Sequence, residues 1–214
     1  LNATEDDSDG TVTVTTSGVE DGQTVTIVLG GVTDTGSVSS NSATVTIAAS
    51  DLDALADGAH TMTVDVSDAA GNAATQVTSS SFTADATAPT VSSISMNDTA
   101  LKSGDTATLT IVFSEAVTAF ANADLTIPNG TLTNVATGDN ITWTATYTPT
   151  ADVTDTTNVI SVATSYTDLA GNAGGTGQTA NFTIDTATPS ISAVGTGALS
   201  WGAYLNATED DSDG

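Results

Sequence analysis

The chain has 214 residues, of which 26 are acidic and only one, Lys102, is a lysine or arginine, so its formal net charge is −25. This balance excludes binding to nucleic acid and to an anionic membrane surface, because almost nothing could neutralise phosphate groups. There is no cysteine, which excludes disulfides, and no apolar run is long enough to span a bilayer. No signal peptide is present, so we expect any export signal to lie elsewhere in a longer protein.

The acidic residues are mostly aspartates: 22 are Asp and four are Glu, and the Asp cluster in apparent turns. Short carboxylates in turns suit coordination of a hard cation by oxygen, whereas a salt-adapted surface more often uses both acids on exposed faces. Only 4% of the residues are aromatic, so the core is expected to be thin and a metal would be a useful staple. We therefore expect Ca²⁺ as a structural cofactor.

The first half of the chain alternates apolar and polar residues over short segments rich in Thr and Val, which is typical of half-buried strands. Helix-forming residues are scarce, and only residues 51–57 (DLDALAD) predict a helical turn. Strands are predicted at residues 11–16, 24–29, 32–38, 43–47, 61–66 and 76–84.

The second half repeats this plan with seven short strands separated by turn residues. Seven strands at a spacing of 8–12 residues predict an immunoglobulin-like sandwich. The predicted fold class is therefore all-β, with tandem immunoglobulin-like β-sandwich modules of about seven strands each. The predicted strands are residues 91–96, 106–113, 125–127, 131–135, 141–147, 158–163 and 179–184.

The sequence also repeats itself at two periods. The opening ten residues, LNATEDDSDG, recur letter for letter at 205–214, a period of 204 residues, and SFTADATAPTVSSI (81–94) resembles NFTIDTATPSISAV (181–194) at an offset of 100. We therefore predict an array in which two related modules alternate. The predicted domains are module A (residues 1–87), module B (88–187) and the start of a further module A (188–214).

This phasing places the first strand of module A within residues 189–204, ahead of the second copy of LNATEDDSDG. Residues 1–87 then lack that strand. We expect the tail of one molecule to complete module A of another, or the same strand to do so within a continuous fibre. Pairing of residues 191–194 with residues 1–88 of the same chain would contradict this expectation.

The strand order of a sandwich predicts which acidic loops share an end. Loops of module A and the linker face loops of module B, and carboxylates about 4 Å apart repel by about 4 kcal/mol at an effective dielectric of 20 unless a cation lies between them. The candidate metal ligands at this A–B junction are Asp7, Asp9, Asp53, Asp85, Glu115 and Asp168. At the next, B–A junction they are Asp68, Asp98, Asp155 and Asp185.

Simpler interpretations remain open beside the metal site. The Asp-x-x-Gly-Asn segments at 68–72 and 168–172 suit a tight turn with positive φ at Gly71 and Gly171, and the DDSDG cluster suits a solvated acidic turn. His60 is the only histidine and has no cysteine beside it, so no zinc site or nucleophile–base pair can be assembled. The chain is therefore predicted not to be an enzyme.

The FT-x-D-x-x-x-P linkers, LADGAHTMTVDVSDAAGN (55–72) and LKSGDTATLTIVFSEAV (101–117) resemble the immunoglobulin-like extender repeats of giant RTX and biofilm-associated bacterial adhesins. The resemblance covers nearly the whole chain. It implies a rod held by Ca²⁺ at module junctions, with the linker acids Asp85 and Asp185 and the turn acids Asp68 and Asp168 as the best candidate ligands.

The resemblance also implies a function in cell adhesion at the bacterial surface, outside the cell. The main hypothesis is a spacer that projects a distal binding domain, with neighbouring copies of the repeat as partners and no nucleic acid, membrane insertion or small-molecule substrate. The alternatives are an adhesion module that itself binds glycan or protein, and an accessory sandwich of a secreted enzyme. Repetition favours the spacer, because reach increases with copy number.

Overall fold

The computed structural model describes residues 1–192. Most of the third predicted segment, 188–214, lies outside the described residues, as does most of the strand expected within 189–204. The helical elements of the described part are α1 (Ala49–Asp53) and a 3₁₀ turn (Asn122–Asp124). No helix there has the length and hydrophobicity needed to cross a bilayer.

The described residues are otherwise strands and connecting turns, which confirms the all-β prediction. Module A contains β1 (Gly10–Thr15), β2 (Thr24–Leu29), β3 (Val32–Ser37), β4 (Ser42–Ile47), β5 (Gly58–His60), β6 (Thr63–Val66), β7 (Val77–Thr78) and β8 (Phe82–Ala84). Module B contains β9 (Val91–Met96), β10 (Ala100–Lys102), β11 (Ala107–Phe113), β12 (Val117–Thr118), β13 (Leu125–Thr126), β14 (Gly130–Thr137), β15 (Thr142–Pro149), β16 (Thr154–Asn158), β17 (Ser161–Val162), β18 (Thr167–Asp168), β19 (Gly177–Gln178) and β20 (Phe182–Asp185).

Two separate hydrophobic clusters follow from the period-two patterns. In the first, β2 and β4 turn alternate side chains inward, and Val25, Ile27 and Val45 are completely buried. The second lies within 101–184 and includes the aromatic rings of Phe113, Tyr147, Tyr166 and Phe182. Each fully buried aliphatic or aromatic side chain stabilises its module by roughly 1.5–3 kcal/mol. The names module A and module B refer to residues 1–87 and 88–187, and these boundaries stay a prediction.

Module A packs β1 and β4 as an antiparallel pair against a second sheet with the order β3-β2-β6-β7. The short strands β5 and β8 form a further antiparallel pair. Helix α1 follows β4, and the Asp9 carboxylate accepts a hydrogen bond of 2.9 Å from the Ala49 N–H at its start. This hydrogen bond connects the acidic turn before β1 to the start of α1.

Module B has a four-stranded sheet with the order β14-β15-β11-β9, in which β9 covers one edge of β11. The opposing layer is divided into the short ladders β10-β20-β16, β13-β17-β19 and β12-β18. All pairs are antiparallel except β10 with β20. An outer strand paired with its neighbour and a parallel contact to the last strand are features of an immunoglobulin-like sandwich.

The predicted and observed strands differ where hydrogen bonding is interrupted. The predicted strand 76–84 is divided into β7 and β8, because the Met62 N–H donates to the Ser79 hydroxyl instead of to a backbone carbonyl. The predicted strand 158–163 overlaps β16 only at Asn158 and otherwise contains β17, so most of β16 was not predicted. The two- and three-residue strands β5, β10, β12, β18 and β19 were missed, because alternation cannot be recognised over so few residues.

Candidate metal centre

Three acidic side chains from different elements meet where the two modules join. Asp85 follows β8, Glu115 lies in the turn after β11, and Asp168 is the last residue of β18. One carboxylate oxygen of each lies within 4.8 Å of the others. Within residues 1–192 this is the one group of three such side chains close enough to hold a metal ion. The structure therefore brings together one linker acid and the two acids predicted at the facing end of module B.

The electrostatics of this acidic trio, Asp85, Glu115 and Asp168, are unfavourable without a cation. Burial raises the pKa of Glu115 above its usual 4.5, and the negative charges of Asp85, Asp168 and Asp57 raise this pKa further. A carboxyl group whose pKa is raised by like charges is stabilised by a proton or by a metal ion. All of the donors are hard oxygens, which suits Ca²⁺ and does not suit a metal that prefers nitrogen or sulfur.

Asp168 is held in place by its own turn. Its Oδ1 accepts hydrogen bonds from the N–H groups of Gly171 at 2.7 Å and Asn172 at 2.9 Å, and its Oδ2 accepts one from Asn172 Nδ2 at 2.7 Å. Gly171 has a φ of +102°, which a residue with a Cβ rarely adopts. The turn expected from the Asp-x-x-Gly-Asn pattern is therefore present, and it fixes the carboxylate that faces the linker.

The matching turn of module A is built in the same way. Asp68 Oδ1 accepts from the Ala70 and Asn72 N–H groups, Asp68 Oδ2 accepts from Asn72 Nδ2, and Gly71 has a φ of +87°. Hydrogen bonds from the Asn72 side chain, then from its backbone, lower the pKa of Asp68. Within the described residues Asp68 has no acidic cluster around it, so the two turns form a natural pair for comparison.

Asn172 connects its turn to the linker and to the start of the chain. It is 5% exposed, and its Nδ2 donates to the backbone carbonyl of Asp85 at 2.7 Å. Its Oδ1 accepts the Ala3 N–H at 2.8 Å, and Asn2 Nδ2 donates to the Ala170 carbonyl at 3.0 Å. The sequence pattern indicates Asn172 only as part of a turn motif, because contacts with residues more than 80 positions away leave no local pattern.

The linker is also bound from the module A side. Asp57 Oδ1 accepts the Ala86 N–H at 2.8 Å and Asp57 Oδ2 accepts the Thr87 hydroxyl. The hydrogen bond from Thr87, followed by that from Ala86, lowers the pKa of Asp57. Asp57 was recognised as acidic but was not among the candidate ligands. Asp57 therefore holds the linker by hydrogen bonds, and its charge adds to the repulsion at Glu115 although it is not a member of the acidic trio.

The remaining candidate ligands at the A–B junction lie elsewhere on module A. Asp7 is exposed in the turn before β1, Asp9 is hydrogen bonded at the start of α1, and Asp53 is exposed at the end of that helix. None of the three belongs to the acidic trio. Their role as ligands stays a prediction that this arrangement does not support.

Apart from Asp68 in module A, the B–A candidates form local hydrogen bonds within module B. Asp98 accepts the Ala100 N–H, Asp155 accepts the Thr157 N–H and Asn129 Nδ2, and Asp185 accepts the Thr154 hydroxyl. The side chains expected to face them belong to a following module A, outside the described residues. Ligand roles at that junction stay a prediction.

Replacing Asn172 with Ala is expected to loosen the junction without unfolding either module. The substitution removes the bonds to the Asp85 carbonyl and to Asp168 Oδ2, and it leaves the Ala3 N–H without its acceptor. Each lost hydrogen bond is worth about 0.5–1.5 kcal/mol. Residual dipolar couplings of the two modules should then report a wider range of relative orientations.

The matched control is Asn72→Ala, which removes the equivalent bond to Asp68 in module A. Equal orientational order in the two variants would contradict a special role for Asn172.

Comparison with known proteins shows where such modules occur. Residues 85–186 match the model of a bacterial Ig-like domain family, and no curated protein matches the chain. A solved structure from a 1.5-MDa bacterial ice-binding adhesin, studied for retention at the host cell surface, is 27% identical with a TM-score of 0.50. The match covers 86% of this chain and 60% of that one, so the chain spans less than two thirds of its length.

Two further structures have lower scores. The fibronectin(III)-like modules of Clostridium thermocellum CbhA are 13% identical, with a TM-score of 0.34 and coverage of 87% of this chain and 89% of that one. The titin Ig tandem A164-A165 is 11% identical, with a TM-score of 0.26 and coverage of 84% and 89%. Residues 85–186 thus match a bacterial Ig-like domain family, and the structure of the chain is similar to that of a giant bacterial adhesin.

Proposed function

We propose that the chain is a structural extender repeat of a large bacterial surface adhesin, stiffened by Ca²⁺ between modules A and B. The observation that carries this proposal is the meeting of Asp85, Glu115 and Asp168 at the junction. A cation bound there would join the linker to two turns of module B. The repeat would then act outside the cell as a spacer that holds a distal binding domain away from the bacterial surface.

The residues present fit Ca²⁺ by charge and by donor type. Three carboxylates, each able to bind through one or two oxygens, approach the six to eight oxygen ligands that Ca²⁺ takes, and water can supply the rest. Asp168 is already oriented by its turn, so less conformational freedom is lost when an ion binds. Neighbouring copies of the repeat in the same chain are the proposed partners, and no catalytic role is assigned to any residue.

The alternative function, an adhesion module that binds glycan, would be favoured by an exposed aromatic face. Among the described residues, Phe113, Phe120 and Tyr166 are buried together, and the partly buried Trp143 packs edge to face against Phe120 with a distance of 5.1 Å between ring centroids. These rings stabilise module B. The arrangement supports the spacer.

The test of the proposed function is the length of the particle in small-angle X-ray scattering with Ca²⁺, with Mg²⁺ and with chelator at matched ionic strength. Ca²⁺ should increase the maximum dimension and narrow the distribution of shapes, because the like charges at the junction are neutralised. Mg²⁺ should have little effect, since it demands a tight octahedral shell and releases water reluctantly. Identical scattering in all three conditions would contradict stiffening by Ca²⁺.

Calcium affinity is expected to fall as the pH is lowered through the raised pKa of Glu115. This pKa lies above 4.5, so in the metal-free protein Glu115 opposes folding at neutral pH and this penalty is lost as the pH falls towards 4.5. Ca²⁺ and a proton compete for the Glu115 carboxylate. Calorimetric titration at pH 7 and near pH 5 should show the loss of affinity.

Glu115→Gln separates two effects of the Glu115 charge, which are repulsion within the acidic trio and attraction of Ca²⁺. In chelator the variant should melt higher than the wild type, because one of three repelling charges is gone. In Ca²⁺ its affinity should be at least about tenfold weaker, as expected when a metal site loses a ligand. A variant that behaves like the wild type in both conditions would remove Glu115 from the site.

A further inference from the structure

An apolar groove runs along module A between β1 and the strands β6 and β7. Its cavity volume is about 400 Å³. Val77 lies at the rim of the groove and is 61% exposed. The residues that define this valine groove are Val12, Val14, Val19, Val64, Val66 and Val77.

The groove follows a strand edge that has no strand partner within residues 1–192. β1 pairs with β4 on one side, and the sheet ends there. In module B the corresponding strand is β11, which follows a similar turn (SGD before β11, SDG before β1) and pairs with β15 on one side and β9 on the other. An unpaired edge beside apolar side chains is a template for an added strand.

Module B shows what occupies the equivalent place. There β9 covers the edge of β11 and also packs against β19, where the Gly177 backbone lies so close to Val91 that an added Cβ would be 2.7 Å from its side chain. β19 lies 100 residues after β7, the offset that relates the two modules. The valine groove is therefore the counterpart of the β9 position.

A buried polar atom in the groove is a second, independent sign of an absent partner. Thr16, which lines the groove just after β1, is 9% exposed, and its Oγ1 has no hydrogen-bond partner among the described residues. A buried hydroxyl without a partner destabilises a protein by about 1–3 kcal/mol. The backbone of an added strand would supply the missing hydrogen bond.

The sequence contains a segment that corresponds to β9. Residues 189–194, PSISAV, align at the offset of 100 with 89–94, PTVSSI, which places Ile191 opposite Val91 and Val194 opposite Ile94. Ile191 is 86% exposed in this structure. This segment also precedes the second copy of LNATEDDSDG, the sequence with which module A begins.

We propose that the valine groove of one copy of the chain binds residues 190–196 of a second copy as an added strand, antiparallel to β1. The direction follows from the antiparallel pairing of β9 with β11. Val77 takes the place of Gly177, so the incoming strand lies farther from β7 than β9 does from β19. The contact joins residues 190–196 of one copy to module A of another. A head-to-tail contact of this kind produces linear chains unless it closes into a ring.

The proposal is tested by the mass of the 214-residue chain in sedimentation velocity over a concentration series, with chelator present to exclude association through metal. Ile191→Asp inactivates the tail at an exposed position, and Val77→Asp inactivates the groove at its exposed rim. The wild type should grow beyond a dimer with concentration, and each variant alone should stay a monomer. An equimolar mixture of the two variants should form a dimer and nothing larger, because one intact groove then meets one intact tail.

The control is Val32→Asp, an exposed valine on β3 outside the groove, which should associate like the wild type. The dimer formed by the mixture also shows that module A of Ile191→Asp is folded and that residues 190–196 of Val77→Asp can still bind; circular dichroism of Val77→Asp like that of the wild type shows that this variant is folded too. A constant monomer mass for the wild type would overturn the proposal. So would an increase in mass that Ile191→Asp and Val77→Asp leave unchanged.

Discussion

Asp168→Asn is expected to abolish the rise in melting temperature that we predict for the wild-type chain in Ca²⁺. The substitution removes the most buried charge of the acidic trio, while an Asn Oδ1 can still accept from the Gly171 and Asn172 N–H groups. At a Ca²⁺ concentration 100 times the Kd, binding stabilises the folded state by about 2.7 kcal/mol. In a module of roughly 100 residues this corresponds to a rise on the order of 10 °C.

The measurement is calorimetric melting in Ca²⁺ and in chelator, with Asp68→Asn as the matched control. Asp68 lies in the equivalent turn of module A and likewise accepts hydrogen bonds from the backbone and side chain of the Asn that ends the turn, but it has no acidic cluster around it within the described residues. The control should keep the full response to Ca²⁺. A Ca²⁺ response that Asp168→Asn leaves intact would place the metal elsewhere, and a loss in both variants would point to the turns instead of the trio.

Phe113→Ala is expected to destabilise module B by about 3–5 kcal/mol, as large aromatic truncations in cores do. Phe113 is 2% exposed, and its ring centroid lies 5.1 Å from that of Phe120 and 4.8 Å from that of Tyr166. Glu115 follows two residues after Phe113, and Asp168 two residues after Tyr166. The same aromatic contacts therefore support both turns of the site, and Ca²⁺ affinity should fall with stability.

Denaturant unfolding followed by the fluorescence of Trp143 checks this second prediction, in a Trp201→Phe background that leaves one tryptophan. The midpoint of module B should move to lower denaturant, while amide signals of β2 report an unchanged transition of module A. Val32→Ala, an exposed truncation, should change stability by less than about 0.5 kcal/mol. A loss below about 1 kcal/mol for Phe113→Ala would contradict the account of the core.

Local pattern and topology together predicted much of the site. The ends of β2 and β9 agree residue for residue with the predicted strands, because alternation over six residues with turn residues on both sides is a strong signal. The assignment of loops to the ends of a sandwich predicts Glu115 and Asp168 near Asp85, where the structure places them. The same reasoning also included Asp7, Asp9 and Asp53, because topology indicates which end a loop occupies and not the direction of each side chain.

Other features depend on contacts between residues far apart in the chain, which have no local pattern. The bonds from Asn172 to the linker and to Ala3 join segments separated by 87 and 169 positions. The two turn motifs are nearly identical in sequence, yet only Asn172 is buried. The difference arises because module B's turn packs against the linker, whereas the described residues place nothing comparable against the turn of module A.

The sequence by itself determined the all-β class, the tandem repeat, the strong negative charge and the turns built on Asp68 and Asp168, because alternation, identity at a fixed offset and turn chemistry are properties of neighbouring residues. Only the tertiary structure decided which carboxylates meet, which Asn holds the linker and where an apolar strand edge is left open. These depend on how twisted sheets pack and on which side chains the packing brings within a few ångströms, and sequence spacing does not specify such distances.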